Sequence, residues 1–115
     1  MAGGLCALAL HQRRPEVRFI LVEPGERLGG NHLWSFFDSD IAPRDRALVE
    51  PLIVHRWGAY LVAFPEHERK LAHRYNSIES ERLDDVIRAS LPAEAILQAS
   101  VAELGPTHVV LKGGK

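Results

Sequence analysis

Apolar and polar positions alternate along the chain in patterns that predict both helices and strands. The opening run Leu5–Leu10 is apolar on nearly every side, which is typical of a buried helix. Because polar residues follow it and Pro15 prevents continuation, a helix is predicted over residues 2–13. Val17–Val22 is rich in β-forming residues and apolar on both faces from Phe19 onward, as in a central parallel strand. Helix, short loop and strand together form the second half of a βαβ unit.

The middle of the chain predicts a loop, a short helix and several strands. The loop Pro24–Gly30 leads into the aromatic segment Asn31–Phe37, which Asp38–Asp40 ends. Pro43 suits the first turn of a helix that reaches about Glu50. The inner face of this helix is predicted to contain Ala47, Leu48 and Leu52. Strands joined by polar connections, one of them at residues 65–69, are predicted at Val54–Trp57, Tyr60–Phe64 and Lys70–Tyr75.

The last third predicts one more helix and then three strands. Ser77 is the candidate N-cap, and Glu79 and Glu81 would complement the helix dipole. The helix should stop before Pro92 and bury one face, formed by Leu83, Val86, Ile87 and Leu91. With turns at Gly105–Pro106 and Gly113–Gly114, the strands are Ile96–Ala99, Val101–Leu104 and His108–Lys112. The pattern as a whole predicts an α/β fold with a small β-rich insertion.

Length and charge limit the classes of function. A chain of 115 residues suffices for one domain with a modest core. With 14 basic and 15 acidic side chains, the net charge of -1 gives no preference for nucleic acid, and no nucleic-acid partner is expected. The longest apolar run, Met1–Leu10, is shorter than the ~20 residues that cross a bilayer. It also lacks the basic start of a signal peptide.

Cysteine and histidine usage predicts neither a disulfide nor a metal site. Cys6 is the single cysteine, and its place in the apolar opening run predicts a core position. The six histidines are scattered and show no paired ligand spacing. Four carboxylates are predicted to lie on solvated faces and not to form catalytic pairs: Glu66, Glu68, Asp84 and Asp85. The segment Tyr60–Phe64 could contact a membrane, but a buried sheet is favoured.

A candidate dinucleotide site lies around the first predicted strand. In dinucleotide-binding α/β folds, an acid at the end of the second strand accepts hydrogen bonds from the adenosine ribose, and Glu23 holds that place. Gly3 and Gly4 would be the end of a glycine-rich phosphate turn, of which only the tail could be present. Gly29 and Gly30 would let the chain pass close to a ligand. Each feature alone could be structural, but their combination favours nucleotide binding.

The same residues carry a resemblance to known flavin enzymes. Glu23 with the pair Gly29-Gly30 resembles the segment after the second strand in enzymes of the amine oxidase and carotenoid desaturase type, which bind flavin adenine dinucleotide (FAD). Ala2–Glu23 followed by Gly29-Gly-Asn-His-Leu-Trp-Ser-Phe-Phe37 looks like the N-terminus of bacterial lycopene β-cyclases. Weaker agreement comes from Val62-Ala-Phe-Pro65, Arg69-Lys-Leu71 and Tyr75-Asn-Ser-Ile78.

The resemblance implies a fold and a cofactor. It implies that residues 1–115 are one incomplete N-terminal FAD-binding domain, a partial FAD/NAD(P)-binding Rossmann-like fold whose first strand is missing. The cofactor would be reduced FAD, with electrons from NAD(P)H. The residues that would hold it are Gly3, Gly4, Glu23, Gly29 and Gly30.

It also implies an activity. The full-length enzyme would convert the ψ-ends of lycopene and related carotenoids into β-ionone rings, giving β-carotene by way of γ-carotene. This is a net isomerisation by an intramolecular lyase or isomerase. The enzyme would lie in the bacterial cytoplasm, peripheral to the inner membrane. No residue here can be assigned as the ring-closing acid, which is expected outside the chain, so the chain alone is expected to be inactive.

Two aromatic residues next to the glycine pair have two possible roles. His32 and Trp34 lie two positions apart and share one face of an extended segment. They could line a flavin or polyene cavity, or Trp34, Phe36 and Phe37 could be core while His32 makes a structural hydrogen bond. Two alternatives to the cyclase stay open: another FAD-dependent oxidoreductase, of hydroxylase or desaturase type, and an inactive truncated nucleotide-binding module.

Overall fold

The structure, a computed structural model, describes residues 1–113 and confirms a mixture of helices and strands. The helices in this part of the chain are α1 Ala2–Arg13, α2 Arg46–Val49 and α3 Ser80–Ser90. Its strands, β1 to β9 in chain order, are Leu21–Glu23, Leu33–Phe37, His55–Trp57, Tyr60–Phe64, His67–Leu71, Tyr75–Glu79, Ile96–Gln98, Val101–Leu104 and Val109–Leu111. Short 3-10 turns lie at Asp38–Asp40, Pro43–Asp45, Glu50–Leu52 and Ala93–Ala95. Gly113 lies in a turn, and the predicted turn partner Gly114 is outside the described residues.

Helix α1 has the predicted bounds, but it is buried on one side only. Gly4, Ala7 and Leu8 are its buried residues. Cys6 is exposed, so the prediction of a core cysteine is wrong. Among residues 1–113, the buried side of α1 faces α3 and β1, and Cys6 lies off that side.

Strand β1 forms a parallel pair with β7, so the prediction of a parallel strand is confirmed. Leu21 pairs with Ile96 and Glu23 with Gln98. The strand starts four residues later than predicted, because residues 17–20 have no ladder partner. Within residues 1–113, β1 has one neighbour in its sheet instead of the two expected of a central strand.

Strands β2, β6 and β3 form an antiparallel sheet in the order β2-β6-β3. Its inner face carries Trp34 and Phe36 of β2 opposite Ile78 and Asn76 of the central strand β6. Ser77 is a buried residue of β6, so the prediction that it caps the following helix is wrong. Helix α3 starts at Ser80 because β6 is paired with β2 as far as Glu79. Asn76 and Ser77 are also paired with β3, and this pairing on both sides outweighs their turn propensity.

The segment 60–71 is a two-stranded hairpin, β4 with β5. Its ladder runs from Tyr60 opposite Leu71 to Phe64 opposite His67, so the predicted polar connection at residues 65–69 is mostly strand. Leu61 is 57% exposed and Phe64 is 68% exposed. The prediction of a buried sheet is therefore wrong, although the ring of Tyr60 at the start of the ribbon contacts Phe37.

The core lies between the helices and the inner face of the β2-β6-β3 sheet. Helix α3 contributes Leu83 and Ile87, followed by Leu91, and Val86 packs at the edge, as predicted. From the predicted helix at 43–50, Leu48 and Leu52 join the core, whereas Ala47 is exposed and Val49 takes its place. The remaining buried members are Ala7, Leu8, Leu28 and Ile78.

Candidate functional site

The segment that follows Glu23, residues 24–32, is held along helix α3 by three polar side chains. These are Ser80, Asp84 and Arg88, which are four residues apart and therefore lie on one face of the helix. The stripe runs beside the apolar stripe of Leu83 and Ile87. We call these three residues the loop clamp.

Each member of the loop clamp bonds a different part of the segment. Arg88 Nη2 donates to the carbonyl of Glu26 at 2.7 Å. Asp84 Oδ1 accepts from the N–H of Leu28 at 2.8 Å and from Arg88 Nε at 2.9 Å. Ser80 Oγ accepts from the N–H of His32 at 3.2 Å, and Ser80 N donates to the His32 carbonyl at 3.0 Å. The loop is thus fixed over its whole length.

The prediction that Asp84 lies on a solvated face is wrong. Asp84 is only 7% exposed. Its carboxylate accepts one hydrogen bond from the charged side chain of Arg88 and one from the main-chain N–H of Leu28. Asp85, Glu66 and Glu68 are exposed, as predicted. The signal that could have found Asp84 is the polar stripe at 80, 84 and 88, which continues the helical period of the buried residues.

Gly29 and Gly30, near the end of the loop, are glycines for different structural reasons. Gly29 has φ 87° and Gly30 has φ 66°, both in the left-handed region that glycine adopts without strain. A Cβ on Gly29 would lie 3.0 Å from Trp34 Cη2 and 3.1 Å from Leu83 Cδ2. A Cβ on Gly30 would meet only His32, at an ordinary 3.5 Å. Gly29 is therefore required by packing as well as by conformation, while Gly30 is exposed and has space beside it.

Glu23 lies half-buried at the carboxyl end of β1, the edge of a parallel sheet at which ligands bind in open α/β folds. Its Oε1 accepts from the N–H of Gly25 at 3.0 Å. Its carbonyl accepts from the N–H of Ala99 at 3.1 Å, which continues the pairing with β7. The hydrogen bond from Gly25 orients the Glu23 carboxylate and uses only its Oε1 atom.

Gly3 and Gly4 lie in the first turn of α1, not in a loop. A Cβ on Gly4 would overlap Ile87 Cδ1, so this glycine allows α1 and α3 to pack closely. Gly3 is exposed, and a Cβ there would make ordinary contact with Leu21. Gly4 thus has a packing role, and contact of either glycine with a cofactor stays a prediction.

His32 and Trp34 lie together beside the glycine pair. Their ring centroids are 5.7 Å apart. Trp34 is half-buried and packs against the core, while the His32 ring is exposed and its main chain is bonded to Ser80. The structure therefore unites Gly29, Gly30, His32 and Trp34, and the loop clamp connects them to the segment that starts at Glu23.

A second aromatic group, which the sequence did not reveal, covers the outer face of the β2-β6-β3 sheet. The ring centroid of Phe37 lies 5.0 Å from that of Tyr75 and 5.4 Å from that of Tyr60. Tyr75 in turn lies 5.9 Å from Trp57. We call these four residues the aromatic face. The register of the sheet brings Phe37, Tyr75 and Trp57 together, and Tyr60 joins them from the neighbouring strand β4.

The aromatic face borders a cavity. It is open to solvent, has a volume of about 440 Å³, and is lined by Ser35, Phe36, Phe37, Asp40, Tyr60 and Tyr75. This volume falls in the range of small-molecule sites, about 300–1,000 Å³. Next to it by register, Ser77 is 1% exposed, and its Oγ has no hydrogen-bond partner among the described residues.

Within residues 1–113, no group of three or more histidine, cysteine, aspartate or glutamate side chains is placed to hold a metal ion. No helix in this part of the chain has the length and apolar character needed to cross a membrane.

Known proteins similar to the chain agree with one another. The family model described as "Lycopene cyclase protein" matches residues 1–115. A lycopene beta-cyclase of Pseudescherichia vulneris is 42% identical over the whole chain and 30% of the relative's length. A lycopene beta-cyclase of Pantoea ananas is 36% identical over the same shares, and one of Paracoccus sp. is 37% identical over 99% of the chain and 29% of the relative. No solved structure matches the chain.

The chain therefore spans about 30% of the length of the curated relatives it matches. Because the family model covers all 115 residues, the chain belongs to the lycopene cyclase family.

Proposed function

We propose that this chain is a segment of a lycopene β-cyclase, which closes the ψ-ends of lycopene into β-ionone rings in carotenoid biosynthesis. The observation that carries the proposal is the match to a lycopene beta-cyclase at 42% identity over all 115 residues. Other ψ-end carotenoids, such as γ-carotene, would be substrates of the same kind. The enzyme would work in the bacterial cytoplasm, peripheral to the inner membrane, where its apolar substrate dissolves.

The reaction is an intramolecular isomerisation. A proton adds to the end of the polyene, the resulting carbocation closes a new carbon–carbon bond, and the ring then loses a proton. Atoms and electrons balance without an oxidant or reductant. We place the proton-donating acid outside the 115 residues, since the one buried carboxylate within residues 1–113, that of Asp84, is engaged by the N–H of Leu28 and by Arg88.

FAD is the proposed cofactor, and the residues around Glu23 fit it. Glu23 stands where a ribose diol would be bound, at the carboxyl end of a parallel strand, with one oxygen engaged by Gly25. Gly30 is exposed and left-handed, so the main chain there presents no Cβ to a neighbouring ligand. When bound in its reduced form, with electrons from NAD(P)H, FAD supplies electron density that stabilises nearby positive charge.

The residues of this chain would bind and orient that cofactor. The Glu23 carboxylate would accept hydrogen bonds from the ribose, while the loop clamp holds the segment that ends in Gly29 and Gly30. Trp34, which covers Gly29 on the core side, excludes water from beneath the glycine pair. Gly3 and Gly4 would face the phosphates from the first turn of α1.

The fold proposed for the whole domain is Rossmann-like. The supporting features are the parallel pair β1–β7, the packing of α1 against β1, and the edge of β1 that has no partner within residues 1–113. We place the first strand of the domain, with its leading glycines, beside that edge. The genomic sequence that flanks the coding region tests this: it should encode a strand followed by a glycine-rich turn upstream.

The activity is tested with the full-length protein, lycopene and reduced FAD. A cyclase gives a product of unchanged mass with β-rings, and this is the expected result. A product heavier by one oxygen would identify a hydroxylase, and one lighter by hydrogen a desaturase; either would overturn the proposal. The 115-residue chain alone is expected neither to cyclise lycopene nor to retain FAD, and stoichiometric flavin on the purified chain would contradict this.

A further inference from the structure

We propose that the aromatic face and the adjoining cavity hold the end of the carotenoid while it carries positive charge. The inference rests on the proposed cyclase function and adds a site for the reacting end group. The residues that would touch it are Phe37, Tyr60 and Tyr75, which line the cavity, with Trp57 next to Tyr75 at their side.

The register of the sheet is the first support. Phe37 lies directly opposite Tyr75, and Tyr75 lies directly opposite Trp57, so one row of rings crosses all three strands on the side away from the core. Trp57 is 47% exposed, although large aromatic side chains are usually covered. One end of this face is therefore aromatic, while the positions beside it are Ser35, Ser77 and His55. Exposed apolar rings that are grouped in this way are typical of a binding surface.

The chemistry of rings is the second support. The faces of tryptophan, tyrosine and phenylalanine carry negative electrostatic potential and attract a cation within about 6 Å, more strongly where water is excluded. They also make dispersion contacts with a neutral hydrocarbon. Such a wall therefore binds the polyene and binds its carbocation better, which is what catalysis of ring closure requires.

The unpaired hydroxyl of Ser77 is the third support. It lies by register between Ser35 and His55 on the outer face, and its Oγ is buried without a partner among the described residues. A buried polar group without a partner is uncommon and needs an explanation. A fixed hydroxyl dipole next to a developing cation lowers the energy of the cation without reorganisation.

The first test compares ring-removing and ring-keeping variants of the full-length enzyme. Trp57→Leu and Tyr75→Leu should each lower kcat about 3- to 30-fold per bound flavin, with a smaller change in KM. Trp57→Phe and Tyr75→Phe, which keep a ring, should retain most of the activity. The control is Phe64→Leu, which removes an exposed aromatic ring at the hairpin tip and should leave kcat unchanged.

Two further measurements avoid the risk that a leucine variant misfolds. Fluorinated tryptophans at position 57 keep the shape of the ring but weaken its negative potential, so kcat should fall with each added fluorine. Ser77→Ala removes a hydroxyl that has no hydrogen-bond partner within residues 1–113, so it should leave thermal stability unchanged while lowering kcat several-fold.

The outcomes separate this inference from the proposed function. Wild-type protein that makes no cyclised product overturns both. An active wild type whose kcat is insensitive to fluorination and to Trp57→Leu overturns the aromatic face alone. A lower melting temperature and flavin content of Trp57→Leu, with kcat per bound flavin unchanged, also overturns it, because the face is then covered by another part of the protein.

Discussion

The Oδ1 atom of Asp84 accepts a hydrogen bond from the main-chain N–H of Leu28 at 2.8 Å, although the two residues are 56 positions apart. This bond joins helix α3 to the loop that leaves Glu23. Since the loop also contains the glycine pair, the position of the proposed cofactor site depends on a carboxylate that does not belong to the site itself.

Removal of that carboxylate should destabilise the protein. Asp84→Ala leaves the N–H of Leu28 and the guanidinium of Arg88 without their partner, which should lower the free energy of unfolding by about 1–3 kcal/mol. Asp84→Asn keeps an acceptor oxygen and should cost less. Denaturant unfolding of the full-length protein measures both, with the exposed neighbour variant Asp85→Ala as control. Equal losses for Asp84→Ala and Asp85→Ala would refute the clamp.

The two glycines should respond differently to alanine. Gly30→Ala puts a non-glycine residue in the left-handed region, and this backbone strain alone should lower the free energy of unfolding by about 1–2 kcal/mol. Gly29→Ala introduces the same backbone strain and, in addition, places its methyl group against Trp34 and Leu83. We expect Gly29→Ala to lower the melting temperature clearly more than Gly30→Ala. The reverse order in a thermal scan would show that the close approach to Trp34 is not maintained.

Glu23 should matter for cofactor affinity more than for stability. Glu23→Ala in the full-length protein removes charge-assisted hydrogen bonds worth about 1.5–3 kcal/mol each, so the Kd for FAD should rise at least tenfold. Glu26→Ala is the matched control, because only the main-chain carbonyl of Glu26 is used by Arg88. Flavin titration gives both values, and unchanged affinity of Glu23→Ala would count against the ribose assignment.

The pairing of α1 with the turn at Pro43–Asp45 should be visible in a titration. The hydrogen bond from Arg13, at 2.8 Å, holds the pKa of the Asp45 carboxyl below its ordinary value of 3.8. Because the folded pKa is depressed, this contribution to stability is present above pH 3.8 and disappears as the pH falls through the folded pKa. Carboxyl NMR should show Arg13→Leu raising the pKa toward 3.8.

Arg44→Leu is the control for that titration. Arg44 Nε lies 3.7 Å from the other oxygen of Asp45 and has a weaker influence on the pKa than Arg13. The Arg44→Leu substitution should therefore raise the pKa of Asp45 less than Arg13→Leu does. An equal or larger effect of Arg44→Leu would contradict the assignment to Arg13.

Local patterns predicted the elements whose partners are near in sequence or whose spacing is regular. The bounds of α1 and the buried face of α3 follow from apolar periodicity and from Pro15 and Pro92. The sequence of β5, rich in charged residues, has no strand signal of its own, and its conformation depends on pairing with β4. Ser77 was misplaced for a similar reason, since pairing with β2 and β3 imposes an extended backbone on it.

The residues of the proposed site also fall into those that local sequence predicts and those that depend on distant contacts. Glu23, Gly29 and Gly30 lie within eight residues, so sequence reasoning could find them together. Asp84, Tyr75 and Trp57 acquire their roles only when distant strands and α3 meet. The burial of Asp84 and the exposure of Cys6 depend on which side of a helix is covered, which composition does not encode.

The loop clamp has a further consequence for the energetics of ligand binding. Ser80 and Arg88 are separated by eight residues, or about 12 Å along the helix axis. A loop attached over that length has little conformational freedom left to lose. A nucleotide that bound this loop would therefore meet a surface that is already ordered. The entropy lost in ordering the loop would lower the free energy of unfolding and would not weaken nucleotide binding.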